Sequence, residues 1–367
     1  MVGVKGFEPS THCSQSSCAT RLRYTPNGLG FYRPAIAQNA ALDSCRERLV
    51  STGHAIVALL LCCLAGSAAP QPLPIDAGVE WLPGRFVAGA QPDGNSVLIE
   101  APDGWIVVDS GRHPPHAQAI VERIRASGKP LRAIVNTHWH LDHIGGNRAL
   151  KTAYPQAQVI ASDAVIGARS GFLADYRRQL LAEIANPSTP PAQRAAHQRE
   201  VAVIDDTAAS TPDVRVGELV PMLVAGRGLS LGFERDAVTG GDVWVYDAMS
   251  QVLAAGDLIT LPAPLLDTAC PERWMQALER IAALRFRWLV PGHGEPMSRG
   301  QFVIYRESYE RLLRCSASNA PAQRCVDGWL NDAGGLFPRE QQPLARSLMA
   351  YYVEQKLRAP RAAACAR

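Results

Sequence analysis

The sequence NTHWHLDHIGGN (Asn136–Asn147) places three histidines and one aspartate within six positions, directly after an apolar run. His138 and His140 are two residues apart, so in an extended segment their rings project to the same side. Asp142 and His143 follow at a point where the chain can bend toward a second position. Imidazole and carboxylate are ligands that Zn²⁺ accepts, and burying them together is costly unless a cation compensates. The segment therefore predicts a metal-binding site.

Three other short motifs occur in order around this segment. VVDSG (Val107–Gly111) precedes it, and AAGDLIT (Ala254–Thr260) and PGHGEP (Pro291–Pro296) follow it. Together with the HxHxDH spacing of the first segment, this series resembles the metallo-β-lactamase superfamily. GDL and GHG are weak signals singly, but the ordered set spans about 190 residues and is specific.

The resemblance implies an α/β (α+β) fold, a four-layer αββα sandwich of two mixed sheets with metals in a cleft at one edge. It implies a ligand set of His138 and His140 at site one, Asp142, His143 and His293 at site two, and Asp257 between them. Asp109 is expected to support the site through hydrogen bonds. Asp142 and Asp257 are the carboxylates expected to take part in catalysis.

One position departs from the family pattern. A third site-one histidine is normal in a segment such as AHTPGD, but the matching stretch here is DAVTGGDVWVY (Asp236–Tyr246), with Val238 in its place. Asp236 is the candidate substitute ligand, with Glu234 and His197 as less favoured alternatives. Either site one holds two histidines plus carboxylates, or the protein binds a single metal at site two.

The resemblance also implies a reaction type. A metal-held hydroxide would attack an ester, thioester, lactone, lactam or phosphodiester of a small-molecule substrate. We expect one or two Zn²⁺ ions as the cofactor, with iron less favoured because the altered position lies in site one. The alternative is a catalytically reduced metal-binding accessory protein of the same fold, and Val238 is the residue that favours it.

The N-terminal region predicts export. Residues 1–50 have no helical or strand periodicity and are expected to be disordered or to precede the true start. Residues 51–68 are expected to be a signal peptide, because basic residues precede an apolar run at Ala55–Ala65 and small residues follow it. That run is shorter than the roughly 20 residues that span a bilayer. A periplasmic or secreted location follows as an expectation.

Charge limits the partners that we expect. Residues 1–68 hold six Lys/Arg and three Asp/Glu of the chain's 37 and 34, so the remainder has 31 of each and no net charge. This balance does not favour nucleic acid or an anionic membrane surface. We expect no nucleic-acid partner and no integral membrane span in the mature chain, while the oligomeric state stays open.

Four cysteines lie beyond residue 68. Cys315 and Cys325 bracket a polar loop and form a plausible disulfide in an oxidising compartment, the alternative being two free thiols. Cys270 is expected to be a small buried residue, and Cys365 lies near the C-terminus.

The pattern of elements predicts one domain at 69–310 and a helical extension at 311–367 packed on it. A hairpin is expected around the turn Pro102-Asp103-Gly104. Strands then alternate with helices, which is typical of a sheet covered by helices. The helix-compatible stretch from Ala164 to about Glu200, with breaks expected at Asn186-Pro187 and Pro190-Pro191, is either a lid or a solvated helical insertion. Trp139 is expected to line the cleft, and His113 and His116 are expected at the surface.

Overall fold

The β-strands form two mixed sheets. The computed structural model describes residues 71–85, 91–359 and Cys365, so the predictions for residues 1–50 and 51–68 lie outside the described residues. The first sheet has the order β1 to β7: Leu73–Asp76, Val79–Leu82, Ser96–Ala101, Gly104–Val108, Leu131–Val135, Gln158–Ala161 and Val214–Arg215. Its first four strands are antiparallel, and β4 to β7 are parallel.

The second sheet has six strands. Its members β8 to β13 are Val220–Val224, Arg227–Glu234, Asp242–Asp247, Val252–Thr260, Trp288–His293 and Met297–Ser298. Only β11 and β12 pair in parallel, and the other neighbours are antiparallel.

Eleven α-helices lie among the described residues. They are α1 Pro114–Ala126, α2 Leu141–Ile144, α3 Asn147–Ala153, α4 Ala164–Ser170, α5 Phe172–Ala185, α6 Pro191–Asp205, α7 Thr207–Ser210, α8 Pro271–Ala282, α9 Arg299–Ser316, α10 Ala322–Ala333 and α11 Gln342–Tyr352. A π-helical turn, Val353–Leu357, follows the last of them. None of the described helices is long and apolar enough to cross a membrane.

Three apolar clusters separate four layers. The central strands β4 (GWIVV) and β5 (LRAIV) are largely buried, so each presents apolar side chains to both faces of its sheet. The inner faces of the two sheets meet through residues such as Val135 and Leu231. The outer face of the first sheet packs on α1 through Ile120, and that of the second packs on α8 through Trp274. The predicted αββα sandwich of two mixed sheets is confirmed.

The C-terminal helices share the core of the second sheet. Helix α9 continues across residue 310, where the sequence predicted a boundary between domain and extension. Phe302 of α9, Trp329 of α10 and Met349 of α11 belong to one buried cluster with Leu253 and Leu289 of the second sheet. The described residues all fall in one compact unit.

The helical insertion packs on the histidine-rich segment. Its predicted breaks before Pro187 and Pro191 match the end of α5 and the start of α6, and a further break at Gly171 separates α4 from α5. Leu173 and Leu180 of α5 are buried against Trp139, whose side chain is almost fully covered.

Two predictions about single residues need correction. His116 is not at the surface: it is buried, and its Nε2 lies 2.8 Å from Ser96 Oγ, because α1 turns this side chain toward β3. His113 is partly exposed. Cys270 is buried as predicted, but it forms a disulfide with Cys365.

The other cysteine pair forms as the sequence suggested. Cys315 and Cys325 are joined by a disulfide with their Cα atoms 5.5 Å apart. It links the end of α9 to the start of α10, so this turn between helices is covalently closed.

Candidate metal centre

Asp109 organises the loop that follows β5. It lies at the end of β4 in the left-handed backbone region, with φ of 60°. Its carboxylate accepts hydrogen bonds from the Thr137 backbone N–H at 2.8 Å, the Thr137 hydroxyl at 2.7 Å and His143 Nδ1 at 2.8 Å. One buried carboxylate therefore fixes both ends of the histidine-rich segment.

A first group of ligand-type side chains consists of His138, His140 and Asp257. His138 Nε2 lies 3.6 Å and His140 Nδ1 lies 3.9 Å from Asp257 Oδ2. The Thr137 hydroxyl donates to Asp109, so it accepts from His138 Nδ1–H at 3.0 Å. Nε2 of His138 is therefore the nitrogen without a proton.

Thr268 orients His140 in the same way. Its hydroxyl donates to the Val238 carbonyl at 2.8 Å and therefore accepts from His140 Nε2–H at 3.0 Å. The unprotonated Nδ1 of His140 then faces Asp257.

A second group consists of Asp142, His143 and His293. His293 Nε2 lies 3.0 Å and His143 Nε2 lies 3.8 Å from Asp142 Oδ2. His143 directs its Nδ1–H to Asp109, so Nε2 is the nitrogen that a cation would bind in place of a proton. That nitrogen lies 3.1 Å from Asp257 Oδ1.

Asp257 lies between the two groups. Oδ2 faces the histidines of the first group, while Oδ1 faces His143 and, at 3.6 Å, His293. Helix α2 supplies Asp142 and His143, β11 supplies Asp257, and β12 ends at His293. The structure thus brings all six predicted ligands together, from both sheets.

The donor atoms fit divalent cations. Ligands about 2 Å from a tetrahedral zinc lie roughly 3.3 Å from one another, close to the spacings found here. The site-facing ring nitrogens of His138, His140 and His143 lie near carboxylate oxygens and have no hydrogen-bond partner among the described residues. Lone pairs that face lone pairs in a buried site are unfavourable unless a cation lies between them. Nitrogen and oxygen donors without sulfur suit zinc, and also iron or manganese.

The electrostatics of the site also favour a cation. Burial lowers the pKa of His143, but the carboxylates of Asp257, Asp109 and Asp142 outweigh burial and hold that pKa well above its usual value. Burial raises the pKa of Asp257, but His143, His293 and His138 outweigh it and hold it far below the usual range. A cavity that stabilises protonated imidazole and ionised carboxylate in this way stabilises bound positive charge.

Val238, which the sequence pattern places at the position of the third site-one histidine, has a buried apolar side chain. Val238 is fully buried in the core cluster of the second sheet. Asp236 is half-buried in the turn after β9, with φ of 54°, and belongs to neither ligand group. Glu234 accepts hydrogen bonds from Trp244 and Arg280, and His197 also lies outside both groups. The first group therefore contains two histidines and Asp257 within the described part of the chain.

Arg112 and Thr268 are site residues that the sequence did not indicate. The guanidinium of Arg112 lies 3.6 Å from Asp142 Oδ1 and 2.8 Å from Glu200 Oε1, and its side chain is only 6% exposed. Glu200 in turn accepts a short hydrogen bond from Tyr176. Arg112 follows the VVDSG motif directly, which was the available signal, whereas the contact between Thr268 and His140 depends on tertiary packing.

Sheet order and layers define an αββα protein, and its donor atoms form two neighbouring histidine and aspartate groups that could hold metal ions. Residues 90–293, more than half of the chain, match the family model described as the metallo-beta-lactamase superfamily, and the chain belongs to that superfamily.

Among curated proteins, the chain is 26% identical over 245 residues to a linear primary-alkylsulfatase of a Pseudomonas species, covering 59% of this chain and 43% of that protein. It is 47% identical over 49 residues to a hydroxyacylglutathione hydrolase of a Synechococcus species, covering 13% of this chain and 19% of that protein. The chain thus spans less than half the length of these relatives.

Solved structures with a similar fold include a metallo-beta-lactamase from Pontibacter korlensis. Its sequence identity is 20% and its TM-score 0.48, with 64% of this chain and 95% of that chain covered. A metallo-beta-lactamase from Hirschia baltica has a sequence identity of 17% and a TM-score of 0.47, with 65% of this chain and 96% of that chain covered.

Proposed function

We propose that the protein is a zinc-dependent hydrolase of a small-molecule substrate. The observation that carries the proposal is the position of Asp257, whose two carboxylate oxygens face the two ligand groups separately. Such an arrangement suits one or two cations held next to a single reacting centre.

The roles of the protein side chains follow from their contacts. Bound zinc would polarise the substrate and lower the pKa of a water molecule to about 7. Asp109, Thr137 and Thr268 hold the histidine rings with one nitrogen directed into the site. Asp142 and Asp257 are the buried carboxylates available to position a water molecule and accept its proton.

The bond that is cleaved is either an acyl bond or an ester bond of phosphoric or sulfuric acid. An ester, thioester, lactone, lactam or phosphodiester is compatible with this chemistry, and the similarity to a linear primary-alkylsulfatase adds a sulfate ester. In folds that host many functions, the loops around the site determine the substrate, whereas the metal centre determines the type of reaction.

Export to the periplasm or outside the cell is part of the proposal. The disulfides Cys315–Cys325 and Cys270–Cys365 support it, because disulfides persist in oxidising compartments. Fractionation of cells that express the full chain is the measurement, and a reduced protein confined to the cytoplasm would contradict it.

A metal-binding accessory protein is the second candidate function. The observation that favours it is the burial of Val238 in an apolar core, which leaves the first group with three ligands. On this alternative, the chain binds metal but turns over none of the substrates named above.

Metal analysis combined with an activity panel distinguishes the two functions. The purified chain is assayed on lactam, lactone, thioester, phosphodiester and alkyl sulfate substrates. Bound zinc with turnover that Asp257→Asn abolishes supports the hydrolase, while bound zinc without turnover supports the accessory protein. Asp236→Asn is the matched control, because Asp236 lies outside both groups and its loss should leave metal content unchanged. A metal-free protein contradicts both functions.

A further inference from the structure

A cavity of about 600 Å³ lies behind the metal centre. Its walls come from α1, α2, α3, α6 and α7. Leu141 and Ile144 of α2 line it, while Asp142 and His143 of the same helix face the metal site. None of the six candidate metal ligands lines the cavity, and Arg112, which approaches Asp142, lies in the wall between the two sites.

The cavity has the size and lining of a ligand site. Most of its lining is aliphatic, with Val121 from α1, Ala149 from α3 and Val203 from α6 as examples. Cavities of roughly 300–1,000 Å³ with apolar walls and a few polar groups are typical of small-molecule sites.

Arginines give this apolar cavity a positive charge. Arg112, Arg125, Arg148 and Arg199 line it, against two carboxylates, Glu200 and Asp206. Both carboxylates are already paired, Glu200 with Arg112 at 2.8 Å and Asp206 with Arg148 at 3.2 Å.

Two of the four arginines therefore carry uncompensated charge. Neither Arg125 nor Arg199 forms an ion pair with a carboxylate of the described residues, and both are exposed. Arg125 does contact the Tyr154 hydroxyl. Guanidinium groups bind carboxylate and similar anions through paired N–H donors.

We propose that this cavity is a binding site for a single-chain anionic amphiphile, with the aliphatic chain between α1, α3 and α6 and the anionic head at one of its exposed arginines, Arg125 or Arg199. The apolar lining matches the chain, and the unpaired guanidinium groups match the head. The site is independent of the hydrolase assignment, because its residues hold no metal ligand.

Calorimetric titration of the full-length chain with dodecanoate below its micellar concentration tests the proposal. One dodecanoate per chain is expected, and dodecyltrimethylammonium, with the opposite head charge, is expected not to bind. Equal binding of both amphiphiles, or binding of neither, overturns the proposal.

Variants locate the bound amphiphile. The double substitution Arg125→Gln with Arg199→Gln is expected to weaken binding at least about tenfold, since it removes both candidate head contacts. Arg324→Gln, an exposed arginine on α10 outside the cavity, is the matched control and is expected to leave affinity unchanged. Ala149→Trp, at an exposed lining position, is expected to block the chain portion.

The Asp257→Asn variant separates this cavity from the metal centre. Dodecanoate affinity should be retained in it and after chelation, because the cavity holds none of the metal ligands. Loss of binding in either case would show that the carboxylate binds at the metals, and it would overturn the proposal while leaving the hydrolase assignment intact.

Discussion

Gly292 lies so close to the central carboxylate of the metal site that no side chain fits. A Cβ atom at this position would lie 2.0 Å from Asp257 Oδ1. We therefore expect Gly292→Ala to displace Asp257, reduce zinc content and abolish turnover, as measured by metal analysis and the substrate panel.

Gly328 provides the matched control for that substitution. It lies inside α10, and an added Cβ would meet nothing within 4 Å. Gly328→Ala should keep full zinc content and raise the free energy of unfolding by about 0.5–1 kcal/mol, through helix propensity. Normal metal content in Gly292→Ala would show that Asp257 tolerates displacement.

Thr268 fixes the ring of His140 from outside the ligand set. Thr268→Val keeps the shape but removes the acceptor for His140 Nε2–H. Because partners of this kind orient metal-binding histidines, zinc affinity should fall about 10–100-fold in a titration against a competing chelator. Thr152→Val, on the exposed side of α3, should leave affinity unchanged, and an equal loss in both variants would argue against an orienting role.

His116 makes stability depend on pH. Burial, opposed in part by Asp93, lowers the pKa of His116 from 6.5 to about 4. Between these values the unfolded chain binds a proton that the folded chain does not, so stability is full above about pH 6.5 and falls as the pH decreases toward 4. The loss attributable to this group approaches about 1.4 kcal/mol per pH unit.

Urea unfolding of wild type and His116→Gln across this pH range measures the effect. The variant has no imidazole at this position, so its unfolding free energy should fall less steeply on acidification. Parallel pH profiles for the two proteins would assign the acid sensitivity to other groups.

At the scale of elements, helix α6 is connected to the metal centre through a buried ion pair. Glu200 of α6 binds Arg112, which also approaches Asp142. Glu200→Gln leaves the buried guanidinium with only one carboxylate, and we expect the free energy of unfolding to fall by about 2 kcal/mol.

A surface ion pair is the control for this prediction. Glu310 pairs with Arg314 one turn away on α9, and both side chains are largely exposed. Glu310→Gln should change the free energy of unfolding by less than about 0.5 kcal/mol in the same urea experiment. Similar values for the two variants would mean that the Arg112–Glu200 pair contributes no more than a surface contact.

Periodicity and turn residues predicted most elements, because these signals are local. The hairpin around Pro102, Asp103 and Gly104 and the helix breaks near Pro187 and Pro191 were read directly from the residues. The break at Gly171 was not predicted, since a lone glycine is tolerated within many helices. The burial of His116 was also missed, because it depends on α1 packing against a strand that lies 20 residues earlier in the chain.

At the scale of the whole molecule, the candidate metal ligands come from both sheets. His138, His140, Asp142 and His143 follow β5 of the first sheet, whereas Asp257 and His293 belong to the second. A cation bound by both sets stabilises the folded state relative to the unfolded chain.

Chelation should therefore destabilise the protein. Treatment with EDTA is expected to lower Tm by on the order of 10 °C in calorimetry, and added Zn²⁺ is expected to restore it. The Asp257→Asn variant serves as the control, since a protein that no longer binds the metal should respond little to EDTA. An unchanged Tm in the wild type would show that the ligands do not link the sheets through a cation.

The ordered motifs were sufficient to name six side chains that the fold brings together. Residue types and spacing carry that information, because each motif lies at a strand end on one edge of the sandwich. Thr268 lacked such a signal, and Arg112 had only its position directly after VVDSG, because a single arginine or threonine has no characteristic spacing. The sequence also could not show whether Asp236 joins the ligand groups, because the backbone conformation of a turn decides where its side chains point.

No single sheet carries the complete ligand set. Neither sheet alone could therefore hold an ion in the final geometry of the site, and metal loading would follow folding. For an exported chain, as proposed, the free metal in the compartment where it folds would decide the identity of the ion.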